Sequence, residues 1–268
     1  MRSRQIKSWL CWLYPTALLV LTLGIIYESY SLFQTLNHHR QTEYSHFPYD
    51  SFAYISVDLK ITFIEPAGSP IPEGTTGEIS SRGSGMVIGT TSDGHAAVLT
   101  ANHVCNPPPF IMSLWNENFE KDMDVTDFYG NVYEAKIILT NLNDDLCLLE
   151  VEGFTDPGVK LAEAGLYMGE KVYSVAAPMA FFSPGMVPLL DGYYSGDVFS
   201  PTGLNSVYTV PAREGSSGSA ILNSDGEIVG IVHSSLTGFQ SVTICSTRPQ
   251  VTAFLLEFEY LLGGILSQ

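Results

Sequence analysis

From Phe52 to Cys245 the sequence alternates short apolar stretches with turn signals, and this spacing restricts the chain to a β-rich architecture. Ser56–Ile64 alternates polar and apolar residues, which is the period of a half-buried strand. The turn at 92–94 contains Asp-Gly and separates two further strands, as in a hairpin. Strands do not alternate with long helices here, so the pattern predicts an antiparallel barrel or sandwich rather than a parallel α/β sheet.

The first 50 residues have the features of an export segment. Three basic residues lie within 1–7, and the stretch 8–27 has no charged residue and is about long enough to cross a bilayer as a helix. Basic residues before this stretch and an acidic residue after it predict a cytoplasmic segment (1–7), a transmembrane signal-anchor (8–27) and a juxtamembrane spacer (28–50). A signal peptide cleaved near Ser29–Ser31 is the alternative. Both interpretations export the rest of the chain.

Charge and cysteine spacing exclude several classes of function. The net charge is −16 with only 12 Lys and Arg, whereas nucleic-acid binding needs clusters of basic residues. No Cys or His spacing typical of a metal site occurs, so we expect no metal and no cofactor.

The C-terminal segment differs from the rest of the chain. Apolar residues recur at helical spacing from Pro249 to Leu262, and Gly263-Gly264 suits the end of a helix. We expect an amphipathic helix within 249–268 that docks on the core. A membrane-surface helix is the alternative, although the segment lacks the basic face typical of one.

Three segments contain the residue types that nucleophilic catalysis requires. Ser217 is central in Gly215-Ser-Ser-Gly218, a tight turn whose backbone N–H groups could hold an oxyanion. His103 follows an apolar stretch that would fix a general base, and Asp145 precedes another, where it could orient an imidazole. Taken singly, each has an ordinary explanation: a surface linker, a buried histidine and a strand cap.

The order of the three segments, with their flanks, resembles the trypsin-like serine proteases, and most of all the protease domain of the HtrA/Deg type. The likeness runs from about residue 80 to residue 235. It implies two six-stranded antiparallel β-barrels, at 51–160 and 161–248, with His103 and Asp145 on the first and Ser217 on the second. The N–H groups of Gly215 and Ser217 would then form the oxyanion hole. Because the sequence ends soon after the second lobe, we expect no PDZ-like domain.

The resemblance also suggests a substrate pocket and excludes one kind of control. Val232 and His233 lie on the strand that should line the primary pocket, although His233 could instead face the triad or be buried. Pro211 lies near the base of this pocket, where trypsin-type enzymes have an acid, so a preference for Arg or Lys is not expected. Ser216 replaces the aspartate that binds the new N-terminus of activated digestive proteases, which implies that no such switch operates.

Two cysteines lie two residues beyond members of the predicted triad. Cys105 follows His103 and Cys147 follows Asp145, so these segments would be close if the triad forms. An exported domain can keep a disulfide, but the Cα atoms must approach to roughly 4.4–6.8 Å. The sequence leaves open a bond or two buried thiols.

Together these features predict a membrane-anchored serine endopeptidase with its catalytic domain outside the cytoplasm, on the periplasmic or extracellular side. Polypeptides would be its substrates, and nucleic acid would not be a partner. Related enzymes form trimers, so a homo-oligomer is an option. A catalytically idle protease-like scaffold, and a maturation protease that cleaves itself or one partner, are the rival interpretations.

Overall fold

The fold is built from antiparallel strands, as a computed structural model shows. The structure describes residues 22–32, 47–62, 76–106, 119–200, 203–236, 238–262 and 265–266. The strands of the described residues are β1 (Phe52–Thr62), β2 (Thr76–Thr90), β3 (Ala96–Ala101), β4 (Phe119–Asp127), β5 (Val132–Asn141), β6 (Leu146–Val151), β7 (Lys171–Val175), β8 (Leu189–Ser200), β9 (Gly203–Tyr208), β10 (Ala220–Leu222), β11 (Ile228–Leu236), β12 (Phe239–Thr247) and β13 (Ile265–Leu266).

The first barrel consists of β1 to β6. Its strands follow the order β1-β4-β5-β6-β3-β2, and pairing of β1 with β2 closes the sheet. All six residues of β3 are buried, because this strand lies between β2 and β6 in the middle of the sheet. β13, near the C-terminus, adds to the edge of β2 through the pairs Ile265–Thr90 and Leu266–Gly89.

The second barrel consists of β7 to β12, which close in the order β10-β11-β12-β9-β8-β7. Val172, Tyr208, Ile221 and Val232 belong to its buried core. The prediction of two six-stranded antiparallel barrels is therefore confirmed.

The helix Arg248–Leu262 confirms the predicted C-terminal helix. Val251, Phe254, Leu255 and Phe258 are buried, at the 3–4-residue spacing of one helical face.

The segment Met1–Phe47 forms a unit of its own. Residues 22–32 are helical and exposed. Most of the predicted span at 8–27 lies outside the described residues, and no helix within the described part of the chain is long and apolar enough to cross a bilayer.

Candidate active site

His103 lies on the one-turn helix Asn102–Cys105, which directly follows β3. Its neighbours Asn102, Val104 and Cys105 are buried, whereas 41% of the His103 side chain is exposed. The buried neighbours anchor the turn, and the imidazole is the side chain that it presents to solvent.

Asp145 lies in the turn between β5 and β6 and holds the His103 ring. Its Oδ2 is 2.6 Å from Nδ1 of His103, and its Oδ1 accepts the backbone N–H of the same residue at 2.9 Å. The Asp145 carbonyl accepts the N–H of Asn102 at 3.1 Å. A carboxylate at Nδ1 favours the tautomer with hydrogen on that atom, which leaves the lone pair on Nε2, where it can accept a proton.

The backbone of Asp145 is left-handed, with φ of +52°. For a residue with a side chain this conformation costs on the order of 1–2 kcal/mol. The three hydrogen bonds that Asp145 accepts from Asn102 and His103 offset that cost. The strained backbone is therefore retained where it positions the carboxylate against His103.

A disulfide joins the two segments that hold the pair. Cys105 and Cys147 are bonded, with Cα atoms 6.6 Å apart, and both are fully buried. The question that the sequence left open is thus answered by a bond that connects the His103 helix to β6.

The Gly215–Gly218 turn is docked on the first barrel through Ser84 of β2. The N–H of Ser84 donates to the Ser217 carbonyl at 2.8 Å, and its Oγ donates to the Gly215 carbonyl at 2.8 Å. Oγ also accepts the N–H of Ala177 at 3.0 Å.

A Cβ on Gly218, where φ is +84°, would collide with Thr100 Oγ1 and the Ser84 carbonyl. Only glycine allows the turn to approach the end of β3, which leads directly into the His103 helix.

Two backbone N–H groups of this turn have no backbone acceptor among the described residues. The Glu214 carbonyl accepts the N–H of Met179 at 2.6 Å, and because the peptide is planar and trans, the N–H of Gly215 points the opposite way. The N–H groups of Gly215 and Ser217 donate to no backbone carbonyl of the described residues.

Within the same part of the chain, no hydrogen bond joins Ser217 Oγ to the His103 ring. Such contacts are often long before substrate binds.

Among the described residues, the three expected in the substrate pocket have different surroundings. Pro211 lines a cavity of about 280 Å³ with Pro178, Leu190, Ala212, Arg213 and Ser241. Val232 is 2% exposed and belongs to the core of the second barrel. His233 lines a different cavity, next to His103 and Asp145.

Asp144, the neighbour of Asp145, belongs to a polar network that no sequence pattern predicted. Asp144 accepts the side-chain amide of Gln250 at 2.6 Å and that of Asn141 at 3.0 Å, and its carbonyl accepts Ser246 Oγ at 2.6 Å. These contacts tie the Asp145 turn to β12 and the C-terminal helix. Gln250 is 106 residues away from Asp144 along the chain, so no local pattern could have predicted the pair.

A protein-family model for the trypsin-like peptidase domain matches residues 83–231, which include His103, Asp145 and Ser217. The chain belongs to the trypsin-like peptidase family. The match covers more than half of the sequence, and it confirms the resemblance seen in the three segments.

Individual relatives point to the HtrA/Deg branch of this family. The chain is 31% identical over 186 residues to a protein of Marinomonas sp. (strain MWYL1) named "Probable periplasmic serine endoprotease DegP-like". That alignment covers 67% of this chain and 35% of the relative, so the chain spans about a third of the length of that protein.

Solved structures share the fold at low identity. The HtrA-type protease AlgW, solved with a decapeptide, has a TM-score of 0.60 at 16% identity and covers 81% of this chain and 66% of its own. The active form of the Rv3671c protease from M. tuberculosis has a TM-score of 0.52 at 15% identity, with 80% and 83% covered.

Proposed function

We propose that the chain is a serine endopeptidase whose nucleophile is Ser217, whose base is His103 and whose orienting acid is Asp145. The observation that most supports this is the double contact of Asp145 with the ring and the backbone N–H of His103. A carboxylate that only capped a strand would not need to engage the imidazole of another segment. The docking of the Ser217 turn beside the end of β3 supports Ser217 as the third member.

The proposed reaction is an acyl transfer in two halves. Nε2 of His103 takes the proton of Ser217 Oγ as this oxygen attacks the peptide carbonyl. The N–H groups of Gly215 and Ser217 stabilise the oxyanion, and His103 then gives the proton to the leaving amine. Water, deprotonated by His103, cleaves the resulting ester and releases Ser217. Apart from the substrate and this water, the steps use side chains and backbone groups of this chain.

We place the catalytic domain on the extracytoplasmic side, with 8–27 as its membrane anchor. The basic residues before 8–27 favour this orientation. A disulfide persists in oxidising compartments, and the DegP-like relative is named periplasmic. After alkaline carbonate washing, the chain should remain in the membrane fraction at its full length. Recovery of a shortened, soluble form would favour the cleaved signal instead.

A fluorophosphonate probe tests the catalytic assignment. The wild-type chain should be labelled at Ser217, and Ser217→Ala should abolish labelling while preserving the fold. Ser216→Ala is the matched control, since Ser216 lies beside the nucleophile but is 1% exposed. If wild type and Ser217→Ala were equally unlabelled, the chain would be an idle scaffold.

A further inference from the structure

The cavity of about 280 Å³ that Pro211 lines lies next to the Gly215–Gly218 turn. Its walls come from the segment that leads into this turn, from the loop after β7, and from β8 and β12. Apolar side chains form most of the lining, and Ser241 adds a hydroxyl group. Of the described residues that line the cavity, Arg213 alone is charged.

Hydrogen bonds join the walls of this cavity to the turn. The Arg213 carbonyl accepts the N–H of Ser216 at 2.8 Å, and the N–H of Arg213 donates to Ser216 Oγ at 3.3 Å. On the opposite wall, Pro178 precedes Met179, whose N–H donates to the Glu214 carbonyl at 2.6 Å. The cavity is therefore held in place by the same backbone that presents the proposed nucleophile.

The guanidinium of Arg213 is available to a ligand. Arg213 is exposed, and within the described part of the chain it forms no ion pair. A guanidinium has five N–H donors and no acceptor, and its planar shape matches a carboxylate. An acidic side chain in the cavity would thus meet a complementary charge, whereas a Lys or Arg side chain would be repelled.

The proposed acyl transfer determines which residue of the substrate meets this cavity. Ser217 attacks a carbonyl whose oxygen is held by the N–H of Gly215, and the side chain of the same substrate residue leaves from the adjacent carbon atom. That side chain is therefore close to Gly215, and the cavity begins at Arg213, two residues earlier in the chain. The cavity that contains His103 is instead bordered by two carboxylates, which would repel an acid.

We propose that the chain cleaves peptide bonds after acidic residues, and that Arg213 is the specificity-determining residue, which binds the carboxylate of the residue before the scissile bond. This inference rests on the proposed function of Ser217. The apolar walls contact the methylene groups of the bound side chain, and Ser241 can donate its hydroxyl hydrogen to the carboxylate. The substrate class is therefore a polypeptide with Glu or Asp at this position.

Two peptides that differ only in Glu or Gln before the scissile bond test this assignment. Both ends are blocked, so the side chain provides the only carboxylate that changes. We expect kcat/KM of the full-length wild type to be about 5–20-fold higher for the Glu peptide, a modest factor because Arg213 is open to water. The factor should fall as the salt concentration rises. A factor near one, or faster cleavage of a matched Leu peptide, would overturn the proposal.

Variants of Arg213 test which group reads the charge. Arg213→Gln should bring the Glu/Gln ratio of kcat/KM to about one, and Arg213→Glu should reverse the preference towards Lys. The ratio is measured within each variant, so a change in the overall rate does not affect it.

Lys60→Gln is the matched control, because it also removes one exposed positive charge, here from β1 of the first barrel. It should keep the wild-type ratio. An equal fall of the ratio in K60Q and R213Q would attribute the preference to the net charge of the chain and refute the role of Arg213.

Fluorophosphonate labelling separates failure of this inference from failure of the proposed function. A chain that is labelled at Ser217 but does not prefer Glu over Gln would refute only the role of Arg213. A chain that is neither labelled nor able to cleave any of the peptides would refute the proposed function, and this inference with it.

Discussion

Two adjacent aspartates, Asp144 and Asp145, differ completely in what they contact. Asp145 binds the ring and backbone of His103, whereas Asp144 binds the side chains of Asn141 and Gln250. The sequence pattern favours Asp145 because it borders the apolar strand, and these contacts give that preference a physical basis.

Asp145→Asn should lower the labelling rate about 10⁴-fold without unfolding the protein. An amide nitrogen at Nδ1 of His103 would favour the tautomer with hydrogen on Nε2, which cannot accept the serine proton. Asp144→Asn is the control. It should cost about 1–2 kcal/mol of stability and change the labelling rate less than tenfold, since Asp144 does not contact His103. Labelling rates with circular dichroism would measure both, and a larger loss in D144N would reverse the assignment.

At the scale of elements, the site depends on short segments that are stabilised by their contacts with neighbouring strands. The His103 helix has one turn, which is too short to be stable alone, so packing and the Cys105–Cys147 bond must hold it. The bond closes a loop of 42 residues that contains β4 and β5. The helix that presents His103, the proposed base, is thus connected covalently to the strand that follows Asp145.

Replacing both Cys105 and Cys147 by Ala should lower the free energy of unfolding by about 3–4 kcal/mol, from the loop entropy restored to the unfolded chain. Denaturant titration with and without reductant would measure it. Reductant should destabilise the wild type and Cys245→Ala alike, because Cys245 is a free thiol, and should not affect the double variant. A reductant effect that persisted in the double variant would contradict this origin.

Elements were predictable from the sequence where their signal is local. Strand periodicity and turn residues predicted β3, β6 and the C-terminal helix, because each contains its own apolar pattern. β13 has only two residues and gains its strand character from β2, so no local pattern could predict it. The Asn205–His233 contact connects residues 28 apart on different strands, so the resemblance to the family left the position of that ring open.

At the scale of the molecule, the two barrels meet where the site is assembled. Phe182, in the loop between β7 and β8, has its ring centroid 5.5 Å from those of Phe52 and Tyr54 on β1. Ser84 binds the Ser217 turn and Ala177 of the second barrel. The proposed mechanism needs such contacts, because the proposed base and nucleophile belong to separate barrels, and small shifts between them would reduce the rate.

The Ser84 side chain makes hydrogen bonds to the second barrel, so its replacement tests how much these contacts contribute to stability and to labelling. Its hydroxyl is fully buried, and Ser84→Ala would leave the Gly215 carbonyl and the N–H of Ala177 without the bonds that they make to it. Each buried group left unpaired costs about 1–3 kcal/mol, so the two groups together should cost S84A about 2–6 kcal/mol of unfolding free energy. It should also slow labelling of Ser217 by at least tenfold, because the Gly215 peptide would no longer be fixed as an oxyanion donor.

Ser80→Ala on the same strand is the control for that change. Ser80 Oγ is exposed and donates to Asp58, so its removal should alter stability by less than about 0.5 kcal/mol and leave labelling unchanged. Denaturant unfolding and labelling rates measured on both variants distinguish a local from a global effect. If S84A lost stability but kept the wild-type labelling rate, Ser84 would hold the barrels together without fixing the turn. If it lost neither, the hydrogen bonds across the cleft would not determine how the nucleophile is placed, and apolar contacts such as those of Phe182 would have to do so.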